Sequence, residues 1–291
     1  MALPQIIIGN IKVTVLSAGR VRMDGGAMFG VVPKGLWARK IEADDRNRID
    51  LQMRCLLVEV GEETLLVETG FGGKVNDRLR EIYDLRETPG LLAQLEEAGK
   101  TPEDVDRVIL THLHQDHAGG TTVLDNGSFV PAFPNATYTV QAGEWHDASD
   151  ADGQTANAYR REEVLDPLER YGRLDLVDGD QDMGNGIRLL VTPGHTRAHQ
   201  SVLIEDSGDA LFFVGDLVPT ASHLKPIYVM AYDLYPRETY VNKGLFLERA
   251  ASEDWWVAWP HDPDLVCGKV VVDEKDGYAI VDGVSAMGET E

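Results

Sequence analysis

Residues 111–120 read THLHQDHAGG and put three histidines and an aspartate into six consecutive positions of a chain with only 8 histidines among 291 residues. The segment at 105–110 reads as a buried strand that delivers this cluster at its end. In an extended segment residues two apart face the same way, so His112 and His114 can converge on one ion. Asp116 and His117 follow as Ala118-Gly119-Gly120 bends the chain. They point elsewhere than the first pair, which leaves room for a second ion nearby. A polar surface loop with incidental histidines is the bland alternative, and the ordered pattern H-x-H-x-D-H is too specific to favour it.

Further along, three more candidates stand at predicted strand exits. Pro193-Gly194-His195 follows the strand at 187–191, Gly215-Asp216 ends the strand at 210–214, and Pro260-His261-Asp262 follows the apolar run at 255–259. Each is one His or Asp next to Gly or Pro, and each alone is weak, because a lone histidine there is more often hydrogen-bonded structure. Together with the cluster they supply seven N/O ligands of the type suited to zinc, or to iron, manganese or cobalt.

In this order, from THLHQDHAGG through Pro-Gly-His-Thr and Gly-Asp to a late histidine, the chain resembles the metallo-β-lactamase superfamily over about residues 58–261. The resemblance implies an α/β fold, an αββα sandwich of two mixed sheets with helices on the outer faces and metals at one edge. It implies two divalent ions, with His112, His114 and His195 on the first, Asp116, His117 and His261 on the second, and Asp216 bridging them. A metal-bridging hydroxide is then the nucleophile, and Asp116 and Asp216 are the catalytic carboxylates, Asp116 by moving a proton to the leaving group. One position departs from the family. Where it has Asp-Thr-Gly after an early strand, this chain has Glu68-Thr69-Gly70. Glu68 can still orient a metal-bound histidine from behind, on a longer stem. His199 matches a common second histidine after Pro-Gly-His and is expected to support the site rather than bind metal.

Strands are expected at 11–16, 55–60, 64–67, 137–141, 201–204, 269–272 and 278–281 as well, with helices near 75–83, 90–98 and 236–252. The last helix opens on a proline, whose missing N–H costs nothing there. Adjacent strands with short turns indicate antiparallel or mixed sheets. No repeat or linker divides the chain, so one domain over 1–291 is expected, with an N-terminal loop at about 20–52. That loop holds Met28, Phe29 and Trp37 among its glycines, and it either packs on its own core or covers a substrate. The segment after Asp216 offers His223, Tyr228, Tyr232 and Tyr235 as oxyanion donors, or as a packed cap. The lactonase branch of the superfamily often has a tyrosine three residues after the bridging aspartate, where this chain has Pro219.

A formal charge of −22 with no Lys/Arg-rich stretch excludes a nucleic-acid partner. No apolar run approaches a membrane span, and MALPQIIIGN carries no basic start of a secretory signal. Cys55 and Cys267 form no disulfide framework, which fits a reducing cytoplasm. Gly-x-Ser-x-Gly, the serine-hydrolase signature, is absent. The expectation is a binuclear metal-dependent hydrolase that cleaves a small apolar ester or lactone. Phosphotriester (organophosphate) or β-lactam hydrolysis is the alternative within the class, and an iron-dependent oxidoreductase the alternative outside it. The exposed apolar loop suggests a homodimer.

Overall fold

Runs that are apolar at every position, such as Leu65-Leu66-Val67 and Leu211-Phe212-Phe213, belong to strands covered on both faces. The computed structural model, which describes residues 3–87, 90–153 and 155–285, arranges them in two seven-stranded sheets. The first joins β1 (Gln5–Ile8), β2 (Ile11–Asp24), β3 (Arg48–Val60), β4 (Glu63–Val67) and β5 (Arg107–Ile109). After a separate hairpin of β6 (Thr122–Asp125) and β7 (Ser128–Pro131), it continues with β8 (Thr137–Gln141) and β9 (Leu174–Val177). The second sheet runs in chain order through β10 (Gln181–Asp182), β11 (Ile187–Val191), β12 (Gln200–Asp206), β13 (Asp209–Phe213), β14 (Trp256–Ala258), β15 (Leu265–Asp273) and β16 (Gly277–Ser285). Both sheets mix parallel and antiparallel pairs, as in a metallo-β-lactamase sandwich.

Alternation sorts each strand's side chains between layers. Leu65, Val67, Leu211 and Phe213 lie in the core between the sheets with Val13, Leu56, Ile109, Leu189 and Val202. Leu66 turns outward to a layer that includes Leu91 and Leu95 of the helix Leu91–Glu97. Phe212 turns outward to a layer that includes Leu247 and Ala250 of the helix Pro236–Ser252. Truncating one of these fully buried rings to alanine removes about 3–5 kcal/mol. Cys55 and Cys267 are both free and buried, and no helix among the described residues is long and apolar enough to cross a membrane.

The loop expected at about 20–52 is shorter. β2 extends to Asp24 and β3 begins at Arg48, and the two remain paired to that point, so the connecting segment spans only 25–47. Cross-strand pairing of long strands overrides the glycine-rich signal that suggested irregular chain. Within the segment, Gly25–Phe29 and Lys34–Trp37 are short helices. Gly25 is required by packing: a Cβ there would lie 2.4 Å from the Trp37 ring.

Parallel pairing decides where function can sit. β4 runs parallel to β5, and β13 parallel to β14, so the exits of these strands gather at one edge of the sandwich. Glu68, the residue 111–117 cluster, Asp216 and His261 follow those exits directly.

Candidate metal centre

β5 ends at Ile109, so His112 and His114 lie past the strand rather than on it. The expected strand alternation is therefore not what aligns them. His114 instead begins the one-turn helix Gln115–Ala118, which carries Asp116 and His117. The turn after β4 holds this loop from below. The Thr69 N–H and hydroxyl both donate to the His117 carbonyl at 2.8 Å. The Thr111 N–H donates to Glu68 Oε1 at 2.8 Å, and Leu113 N–H donates to the buried Glu144 carboxylate at 3.0 Å. All seven sequence-predicted ligands come together. Their atoms fall into three sets, each within 4.8 Å: His112, His114 and His195; His112, His117 and Asp216; Asp116, His117 and His261.

Ring tautomers, assigned from outer partners, make the case for a cation. His195 Nδ1 faces Asp233 Oδ1 at 2.9 Å, and His261 Nδ1 faces the Gln52 carbonyl at 2.7 Å. Glu68 Oε2 lies 3.2 Å from His117 Nδ1. For His195 and His261 the outer nitrogen therefore carries the hydrogen, and Nε2 turns a lone pair inward. His195 Nε2 then meets His114 Nδ1 at 3.0 Å, and His261 Nε2 meets His117 Nε2 at 3.1 Å. His112 Nε2 and Asp216 Oδ1 are buried without a hydrogen bond. Inward lone pairs packed against further ring nitrogens and a buried carboxylate are unfavourable without positive charge between them. The donor set fits divalent metal.

Electrostatics agree. Burial holds His112 and His114 well below the usual imidazole range, helped by neighbouring histidines. Burial also works against a charged His117 and His195. For His117, Asp116, Asp216 and Glu68 outweigh it and raise the ring well above its usual value. For His195, Asp216 and Asp233 do the same. Burial opposes the Asp216 carboxylate too, yet His261, His117 and His195 hold it well below the usual carboxylate range. That field favours positive charge at the centre.

His199 is not among these ligand sets. Its Nδ1 faces Thr192 Oγ1 at 2.8 Å, and its Nε2 accepts the Asp216 N–H at 3.0 Å, so it fixes the Asp216 backbone. Burial pushes it down to about 3, which keeps that acceptor free. Asp233, Gln52 and Glu144 were not visible as partners in the sequence. Asp233 sits 38 positions from the histidine it orients, and no motif marks it.

A cavity of about 420 Å³ opens on the ligands. Met28 and Tyr232 line it, with Met23, Met230, Leu234 and Tyr83. Phe29, Trp37, His223 and Tyr228 do not line it. Phe29 lies between Trp37 and His223 in a stack, with ring separations of 5.2 Å and 4.2 Å, and Tyr228 meets it edge-on at 6.0 Å. His223 is committed twice, to Thr220 Oγ1 at 2.7 Å and the Met28 carbonyl at 2.8 Å. These four residues form a packed cap behind the wall, because flat rings bury more area against each other than against a half-open cavity. Tyr235 is likewise outside the lining. Pro219, at the position of the family's tyrosine, offers only its carbonyl, which accepts the His261 N–H at 3.0 Å.

The family described as metallo-beta-lactamase superfamily matches residues 49–261. An N-acyl homoserine lactonase of Bacillus cereus is 30% identical over 210 residues, covering 69% of this chain and 72% of that protein. A crystal structure of a probable metal-dependent hydrolase from Staphylococcus aureus is 31% identical, with a TM-score of 0.87 over 94% of this chain and 98% of that one. A dizinc quorum-quenching lactonase in complex with a product shares the fold at 20% identity, with a TM-score of 0.79 over 96% of this chain and 97% of that one.

Proposed function

Because the chain belongs to the metallo-β-lactamase superfamily and is a metal-dependent hydrolase of it, we propose that it is binuclear and cleaves small apolar esters or lactones. In this reading His112, His114 and His195 hold one zinc ion, Asp116, His117 and His261 hold the other, and Asp216 is shared. The observation that carries it is the place of Asp216. Its Oδ2 is 3.3 Å from His195 Nε2, and its Oδ1 is 3.1 Å from His261 Nε2 and 3.6 Å from His117 Nε2. One carboxylate faces the ligands of both halves. Bound there, the ions supply Lewis acidity toward an acyl oxygen and a nucleophile from water near neutral pH.

The chain's own groups do the rest. The Met23, Met28, Met230 and Leu234 wall excludes water and takes an apolar acyl chain, and thioethers adapt to its shape. Tyr232 and Tyr83 bring hydroxyls to the cavity. Burial raises both, Tyr232 to about 12, so both stay protonated and can donate to a developing oxyanion in place of the missing tyrosine at 219. Asp116 lies 3.7 Å from His117 Nε2 and 3.8 Å from His261 Nε2 while lining the cavity, which suits it to carry a proton to the leaving oxygen.

The test is metal analysis of the loaded protein alongside a panel of lactones, aryl esters, phosphotriesters and β-lactams. Two ions per chain and chelator-sensitive cleavage of a lactone or aryl ester are expected. A single iron with thiol-dependent oxygen uptake would replace the hydrolase reading by the oxidoreductase one. Turnover confined to phosphotriesters or β-lactams would refute the acyl-ester assignment.

A further inference from the structure

Behind His261, away from the metal-facing side, Arg54 on β3 is 4% exposed. Its Nη1 donates to two backbone carbonyls, Trp259 at 3.5 Å and Asp262, which flank His261 in sequence. Its Nη2 is buried and has no hydrogen-bond partner. Among the described residues no carboxylate lies within ion-pair distance of Arg54. The fields of Asp262 and Asp264 reach it from further away, and burial pulls it down only to about 10, so it stays charged at neutral pH. A buried cation with an empty donor is an uncommon thing for a folded chain to keep.

Arg54 lines a cavity of about 220 Å³ together with Arg20, Gln52, Gln94 and Ser17. Arg20 is exposed at the rim and has no ion pair among the described residues. Both glutamines use Oε1 to accept from Ser17, Gln52 from its hydroxyl at 3.3 Å and Gln94 from its N–H, which leaves their amide donors over. No Asp or Glu lines this cavity, in a chain of net charge −22. Leu16, Val15 and Val266 make the remaining wall apolar.

We propose that this cavity binds a small monocarboxylate with a short alkyl chain. Arg20 at the rim and Gln52, Gln94 and Arg54 in the wall line the space, the buried Arg54 charge lends it a positive field, and the Arg20 guanidinium edge matches a planar carboxylate in a fork. The apolar wall suits an alkyl tail and leaves a phosphate's remaining oxygens without donors. The volume has room for roughly seven water-sized groups, close to the size of butyrate. The cavity lies behind His261, because the same guanidinium donates to the carbonyls of Trp259 and Asp262, and the Gln52 backbone carbonyl accepts from His261 Nδ1 at 2.7 Å. The inference does not depend on which ester the enzyme hydrolyses.

The experiment is a fluorine NMR titration of trifluoroacetate into the zinc-loaded full-length protein, with ionic strength held constant by chloride. Saturable binding is expected, displaced by butyrate and not by inorganic phosphate. Arg20→Gln, a change at the exposed rim, should leave zinc content unchanged and weaken binding by about tenfold or more. Equal affinity in wild type and Arg20→Gln would place the anion away from this cavity and overturn the proposal. So would displacement by phosphate alone, or the absence of saturable binding in the wild type.

Discussion

Replacing Asp233 with asparagine keeps the size of a buried side chain and removes its charge. Asp233 accepts from two donors, His195 Nδ1 at 2.9 Å through Oδ1 and the Met230 N–H at 3.0 Å through Oδ2. Asparagine has one carbonyl oxygen for those two positions, and its amide group must face a donor. The variant therefore loses a charge-assisted hydrogen bond to the imidazole, worth about 1.5–3 kcal/mol. At about 1.4 kcal/mol per factor of ten, that is a roughly 10- to 100-fold weaker zinc site, the range seen when partners behind metal-bound histidines are removed. His195 is then free to present either tautomer, so part of the population turns a hydrogen rather than a lone pair toward the metal. The assay is zinc affinity by chelator competition, run beside kcat/KM on the best ester or lactone, with far-ultraviolet circular dichroism as the check on folding. A folded Asp233→Asn protein with wild-type zinc affinity would refute the claim that Asp233 orients His195.

Three further outcomes are expected. Asp216→Ala should lower the metal content below two ions per chain by elemental analysis and reduce kcat/KM by more than the roughly 100-fold cost of an outer partner; an unchanged rate contradicts the shared role. Tyr232→Phe should reduce kcat by up to roughly 100-fold with a smaller change in KM, and an unaltered kcat would leave oxyanion donation to Tyr83. Burial holds His223 down to about 3 against an ordinary value of 6.5. The folded chain therefore leaves it neutral while the unfolded chain protonates it, and the stability it contributes is complete above about 6.5 and lost as pH falls toward 3. Urea unfolding of the metal-free protein should show a loss of about 1.4 kcal/mol per pH unit from this group in that window, and His223→Gln should flatten the slope by that amount. An identical slope in the variant would place the titration elsewhere.

The candidate ligands were legible because five of them are histidines, scarce in this chain, and all seven lie just past strands near glycine or proline, and short-range signals of that kind survive in sequence. The continuous apolar runs of β4 and β13 likewise announced strands covered on both sides. What stayed hidden depends on pairing at a distance. Asp233 reads as one acid in a loop until the fold brings it to His195. Arg54 reads as a polar interruption of β3 until its carbonyl partners at Trp259 and Asp262 are in view. Phe29 and Trp37 looked like a substrate wall because an apolar loop has no sequence signal for which side its rings face, and the stack with His223 resolves that. β10, only Gln181–Asp182, is held by its neighbour rather than by its own pattern.

Glu68 has a backbone φ of +67°, in the left-handed region that non-glycine residues seldom occupy. From that bend its long stem spans to both the Thr111 N–H and the His117 ring. The glutamate, the bend and the loop at 111–117 are thus a matched set. Replacing Glu68 with aspartate would import a side chain one methylene short of these two partners. Any graft of this centre onto another scaffold has to carry residues 68–70 and 111–117 as one unit.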